Sequence, residues 1–91
     1  MPDIATFIFE AASHLARSRE AIRRQDVPAL RAAVIALRDT SQAAGAARML
    51  ELCADLRAEL TQDRTDLETH LDALADEFDL ITGELQTVRS A

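Results

Sequence analysis

Residues 30–49 read LRAAVIALRDTSQAAGAARM, and they predict the end of one helix, a turn and the start of the next. Leu30, Val34 and Leu37 recur at four- and three-residue steps, which places them on one face of a helix. Gly45 is the strongest stop signal in the middle of the chain, because glycine readily adopts the left-handed conformation that closes a helix. The stretch therefore predicts a helical hairpin.

Apolar residues recur at helical spacing on both sides of this hairpin. Asp3 and Asp26 are candidate N-caps for the first and second helices, and Pro28 fits the first turn of the second. A third helix is predicted over residues 46–60, and a fourth after the candidate N-cap Asp63. The residues predicted to face the core are Ile4, Phe7, Ile8, Ala11, Leu15, Ser18 and Ile22, then Leu30, Ala33, Val34, Leu37, Ser41 and Ala44, then Met49, Leu52, Cys53, Leu56 and Leu60, and finally a heptad seam of Leu67, Leu71, Leu74, Phe78, Ile81, Leu85 and Val88.

The fold class follows from the number of helices and the length of their connections. Short connections make consecutive helices antiparallel neighbours. The composition suits helices, with 48% hydrophobic residues and only two glycines and two prolines. A chain of 91 residues is the size of one domain. We therefore predict that residues 1–91 form a single all-α domain, an antiparallel up-down four-helix bundle.

The charge of the chain narrows the choice of partners. Its net charge is −6, with seven arginines against five acidic residues in the first 50 positions and three against eleven in the rest. An acidic balance disfavours nucleic acid, because phosphate contacts need clustered basic groups. No apolar run approaches the roughly 20 residues that cross a bilayer, and the N-terminus does not have the pattern of a signal peptide. We expect a cytoplasmic protein with neither a membrane nor a nucleic acid as partner.

The hairpin region resembles a known signalling family. Histidine phosphotransfer (HPt) domains carry a signature of roughly His-x-Leu-Lys-Gly-Ser-Ser-x-x-x-Gly, and Leu37, Arg38, Thr40, Ser41 and Gly45 match it or replace it conservatively. The order of features elsewhere is also similar to that family. It includes an acidic turn at Gln25–Asp26, where relatives have a Gly-Asp type turn, a small-residue turn followed by a Leu- and Cys-containing helix at Ala46–Cys53, and an embedded Glu77–Phe78 pair in the last helix.

Two positions depart from the HPt pattern where its chemistry takes place. Ile35 stands where the family has the phosphate-accepting histidine, and it has no nucleophilic atom. Asp39 stands where the family has a glycine that leaves room for the partner, and its charge would repel an incoming phosphate. The resemblance therefore implies a module of a bacterial two-component phosphorelay that does not accept phosphate, is not an enzyme and needs no cofactor.

The same resemblance predicts which face meets a partner. Arg31, Ile35, Arg38, Asp39 and Gln42 are the candidate partner-binding residues, and the implied partner is a response-regulator receiver domain or a histidine kinase. Two placements of Ile35 are open at this stage. It lies either in a small exposed apolar patch beside Ala32, Ala36 and Gln42, or half-buried at a seam between helices.

Three alternatives use other residues. The seam from Leu67 to Val88 could pair two copies, which would make the chain a helical oligomerisation module unrelated to phosphorelay. His14 or His70 could replace the missing histidine and give an active phosphotransfer protein. The spacing of these histidines and Cys53 does not suit a metal site, and Cys53 is expected to be a small core residue. Acidic clusters in the last third of the chain are interpreted as a solvated face.

Overall fold

Four helices account for nearly all of the residues described in the computed structural model, which are 3–61 and 66–90, with side chains up to residue 84. They are α1 (Ile4–Arg23), α2 (Val27–Ala44), α3 (Ala47–Thr61) and α4 (Leu67–Ser90). Within these residues there is no strand. The predicted Asp63 cap lies outside the described residues, and α4 is helical from Leu67.

Local signals fix the ends of α2. The Asp26 carboxylate accepts a hydrogen bond from the backbone N–H of Ala29 at 3.1 Å, so it caps a helix whose first turn contains Pro28. Gly45 ends the helix with φ +71°. Its N–H donates to the carbonyl of Gln42, and the following N–H of Ala46 donates to the carbonyl of Ser41. This pair of bonds satisfies the last carbonyls of α2 and turns the chain into α3.

The turn between α1 and α2 uses the same geometry without a glycine. Gln25 has φ +57°, the only positive φ of a non-glycine residue in the described chain. The N–H of Gln25 donates to the carbonyl of Ile22, and that of Asp26 donates to the carbonyl of Ala21 at 2.9 Å. A side chain in this conformation costs about 1–2 kcal/mol. The turn therefore keeps the hydrogen bonds of a glycine-closed helix and carries backbone strain.

Contacts between helices define an up-down-up-down bundle. Each helix packs against two neighbours, in the pairs α1–α2, α2–α3, α3–α4 and α1–α4. Near one end, the rings of Phe7 and Phe78 meet edge to face with centroids 6.2 Å apart. Further along, Arg19 of α1 pairs with Asp72 of α4 at 3.0 Å. Because the sequence order reverses between these two contacts, α1 and α4 are antiparallel, which confirms the predicted architecture.

The core matches most of the predicted stripes. All five predicted residues of α3 are buried, and so are the middle residues of the other three stripes except Ile8, which is half-buried against the core. Ile4 and Ala44 are exposed instead, because each lies in the end turn of its helix. Ala21 is buried although it was not predicted to be. The fully enclosed side chains include Leu30, Val34, Leu37, Met49, Cys53, Leu56, Leu71 and Leu74.

The seam of α4 is largely used inside the bundle. Leu71, Leu74 and Phe78 are buried, and Leu67 and Ile81 are half-buried against the core. The side chains of the last two seam positions lie outside the described residues. With 24 residues α4 is about 36 Å long, against about 22 Å for the 15 residues of α3. Across the described residues, none of the helices has the length and apolar character needed to cross a membrane.

Candidate partner-binding site

Four of the five predicted site residues share one flank of α2. Arg31, Ile35, Arg38 and Gln42 follow one another at four-, three- and four-residue steps, so they form a row beside the buried stripe. Ile35 is half-buried, which agrees with the second of its two predicted placements. It is not enclosed in the core, so part of its side chain is available at the surface.

The row borders a groove between α2 and α3. This α2–α3 groove has a volume of about 300 Å³ and is lined by Arg31, Ile35, Ala54, Arg57, Ala58, Leu60 and Thr61. The first half of α2 and the second half of α3 form its walls because the two helices run antiparallel. Small alanines of α3 leave the space that longer side chains would fill. One aliphatic side chain, that of Ile35, thus lines the same groove as the two arginines Arg31 and Arg57.

A second hollow adjoins the groove on its outer side. It has a volume of about 440 Å³ and is lined by Val27, Pro28, Arg31, Ala32 and Ile35. Arg31 and Ile35 belong to both hollows, so they form the ridge between them. This outer hollow is mainly aliphatic, and it makes Ile35 part of a continuous surface on the first half of α2.

The arginines of this region differ in their ion pairing. Arg38 pairs with its neighbour Asp39 through a 3.0 Å contact, so the two predicted site residues partly neutralise one another. In the described part of the chain, neither Arg31 nor Arg57 forms an ion pair, and no acidic residue lines the groove between them. The groove therefore carries uncompensated positive charge on a protein whose net charge is −6.

The acidic residues of α3 lie on its other flank. Glu51, Asp55 and Glu59 follow one another at four-residue steps, on the side that faces away from α2. Glu59 confirms the direction, since its carboxylate lies 3.7 Å from the ring of His70 on α4. The α3 helix thus carries Arg57 on the flank toward α2 and Glu59 on the flank toward α4, while its other described arginine, Arg48, pairs with Glu51 at 2.8 Å.

Cys53 lies behind this face and is fully buried. Burial raises the pKa of its thiol from the usual 9.0 to about 11, although the nearby Arg38 and Arg57 act in the opposite direction. A thiol with such a pKa stays protonated and unreactive at neutral pH. Cys53 is therefore a core residue, as predicted.

The two histidines are half-buried and lie on other helices. A guanidinium nitrogen of Arg17 lies 3.3 Å from Nδ1 of His14. Burial and the charge of Arg17 lower the pKa of His14, while Glu10 raises it to a lesser degree. His70 faces Glu59. Neither histidine lines the α2–α3 groove, and among the described residues no three His, Cys, Asp or Glu side chains converge as a metal site requires.

The structure adds residues that the sequence reasoning missed. Arg31 and Ile35 line the groove as neighbours, whereas Arg38, Asp39 and Gln42 lie further along α2 and do not line it. The missed residues come from α3, chiefly Arg57 and Thr61. Arg57 and Thr61 lie with Ala54 and Ala58 on a flank of α3 that has no acidic residue. The sequence shows this pattern, but the pattern indicates a site only once that flank is known to face α2.

In comparisons with known proteins, no protein-family model, no curated protein and no solved structure matches this chain.

Proposed function

We propose that this chain is an HPt-like module of a bacterial two-component system, which binds a receiver domain or a histidine kinase and does not carry phosphate. The observation that most directly supports the proposal is the position of Ile35. Ile35, the position that corresponds to the phosphate-accepting histidine, is partly exposed on an outer flank of a four-helix bundle. A partner that docks over an imidazole in the family would meet a hydrocarbon side chain here.

The chemistry of this position supports binding without phosphoryl transfer. The Ile35 side chain has only carbon and hydrogen, so it offers no lone pair to attack a phosphoryl group. The aliphatic outer hollow and the half-buried Ile35 supply apolar area, and Arg31 and Gln42 supply polar groups around it. A central apolar contact with a polar rim is the usual composition of a protein interface. Such a module would sequester its partner, compete for it or position it.

A binding titration tests the proposal. Candidate receiver and kinase domains are titrated into the wild type and into Ile35→Asp, which introduces a charge at the centre of the proposed contact. We expect the mutant to bind at least tenfold more weakly. Phe9→Asp is the matched control, because Phe9 is 76% exposed on α1 and is not on this face. Circular dichroism verifies that both variants are folded, and Ile35→Ser provides a milder change at the same site.

Phosphate transfer is tested separately. After incubation with a phosphorylated receiver, the protein should hold no acid-labile phosphate, while the complex stays detectable. Phosphate on His14 or His70 would show that a relocated histidine carries the group, and the non-catalytic part of the proposal would be wrong. Equal affinity of the wild type and Ile35→Asp for the partner would show that Ile35 is not part of a docking surface.

A helical oligomerisation module is the second candidate function. Leu80 favours it, because this apolar residue of α4 is 63% exposed. Sedimentation of the wild type and Leu80→Glu tests it. A dimer that dissociates in the variant would support pairing through the last helix, whereas a wild-type monomer at high concentration would exclude it.

A further inference from the structure

We infer that the α2–α3 groove is a recognition site for an acidic segment of a partner protein, whose carboxylates pair with Arg31 and Arg57. The inference rests on the proposed function in using the same flank of α2 as a docking surface. It goes further by naming the chemistry of the partner and by adding a residue of α3 to the site.

The arginines that line this groove differ from the other described arginines because they have no ion-pair partner. Five arginines form ion pairs with nearby carboxylates, and Arg17 lies against the ring of His14. Arg31 and Arg57 are the two exposed arginines of the described residues that have neither kind of partner, and both line the same groove. Within the described side chains, a protein with an excess of acidic residues thus has both of its unpaired guanidinium groups at one groove.

The side chains around the two arginines suit an anionic ligand. Guanidinium groups bind carboxylate and phosphate through paired hydrogen bonds. The Thr61 hydroxyl donates its proton to the carbonyl of Arg57 at 3.1 Å, so the two guanidinium groups are the donors that face an anion here. The acidic residues before and after Arg31 in sequence are engaged elsewhere, since Asp26 caps α2 and Asp39 pairs with Arg38, and neither of them lines the groove.

The shape and the overall charge favour a protein segment over other anions. The groove is only partly enclosed, so a small molecule would leave part of its surface in water, unlike the enclosed sites that small ligands occupy. Nucleic acid or an anionic lipid surface would extend beyond the groove and face the acidic residues that dominate the second half of the chain, whereas a short segment needs to cover only the groove. A peptide segment can place an acidic side chain between the arginines and an apolar one on the ridge at Ile35.

Nuclear magnetic resonance with the full chain tests the inference without any receiver or kinase. The probe is an amidated peptide of alternating glutamate and leucine, titrated to millimolar concentration. Its counterparts carry glutamine in place of glutamate, or phosphoserine in place of the central glutamate. We expect the Nε–H signals of Arg31 and Arg57 and the amides of Ala54 and Ala58 to shift with the glutamate peptide and not with the glutamine peptide. Tighter binding of the phosphoserine peptide would overturn the assignment to carboxylates, because the site would then prefer a phosphate group.

A matched pair of double variants separates the site from general charge. Arg31→Gln/Arg57→Gln should raise the Kd of the glutamate peptide about tenfold. Arg23→Gln/Arg48→Gln removes the same amount of charge from exposed arginines that are ion-paired with Glu20 and Glu51, and should change the Kd less than about twofold. Equal effects in the two double variants, shifts at other residues or no shifts at all would overturn the inference. Because no receiver is used, failure here leaves the receiver titration as an independent result.

Discussion

Alkaline pH should destabilise this protein through a single side chain. The chain has no lysine and no tyrosine, and arginine keeps its proton above pH 12. The terminal amine titrates near pH 8. Between about pH 9 and pH 11 the thiol of Cys53 is therefore the one side-chain group that changes its ionisation on unfolding.

The direction and size of the effect follow from the pKa of that thiol. In the folded state burial raises it from 9.0 to about 11, so the unfolded chain loses its thiol proton first. In this window the unfolded state binds one proton fewer than the folded state, and the free energy of unfolding falls by about 1.4 kcal/mol per pH unit. The total loss amounts to about 3 kcal/mol, and it is complete once the pH exceeds about 11.

Urea unfolding followed by circular dichroism measures this loss at half-unit steps from pH 8 to pH 12, with a phosphine reductant present to keep the thiol reduced. Cys53→Ala is the control, because it removes the ionisable group. The variant should be less stable at neutral pH, owing to the small cavity in the core, and its stability should stay constant across the same window.

The two stability curves should therefore converge as the pH rises. Parallel curves would refute the argument, since the alkaline loss would then come from some process other than ionisation of Cys53. A wild type that keeps its full stability at pH 11 would refute it as well, by showing that burial does not hold the thiol in its neutral form.

Three further predictions concern stability at neutral pH, each measured by urea or thermal unfolding. Gln25→Gly should stabilise the protein by about 1 kcal/mol because it relieves the strain of φ +57°, whereas Gly45→Ala should cost about 1 kcal/mol because it introduces strain at φ +71°. An effect of the same sign in both would contradict this reasoning. Ser41→Ala should be neutral or stabilising by up to about 1 kcal/mol, since the buried Ser41 Oγ has no hydrogen-bond partner among the described residues. Ser18→Ala is its control, as Ser18 Oγ donates to the carbonyl of His14 at 2.8 Å, and it should be the less favourable of the two changes. Asp26→Ala should cost about 1 kcal/mol through loss of the cap on α2, while Asp26→Asn should retain most of the stability. Equal losses in those two variants would show that the negative charge, and not the cap, is what matters.

The sequence alone predicts those features of the fold that depend on a single residue or on one periodic pattern. Gly45 and Asp26 mark the ends of α2 by their own chemistry, and both have the predicted roles. The five buried residues of α3 follow from spacing alone. Spacing fails at helix ends, where a residue such as Ile4 continues the stripe but has too few neighbours to be covered. The left-handed conformation of Gln25 was not predictable either, because glutamine gives no signal for it.

The candidate site shows a different kind of limit. A motif and helical spacing are enough to predict that Arg31 and Ile35 lie on one flank of α2, and whether they bind a partner stays a prediction. Arg57 could not be predicted in this way, because the flank that α3 turns toward α2 depends on how the two helices pack and not on either helix alone. The ion pairing that distinguishes Arg31 and Arg57 from the other arginines is likewise a property of the folded chain.

The division of charge across α3 has a kinetic consequence. With Arg57 on the side of α2 and Glu59 on the side of α4, the α2–α3 groove is more positive than the opposite flank of α3. An acidic partner would be turned toward the correct side during diffusional approach and repelled from the other. Raising the ionic strength should then slow its association much more than it speeds its dissociation. Encounter rates would be set by long-range orientation before any side chain touches.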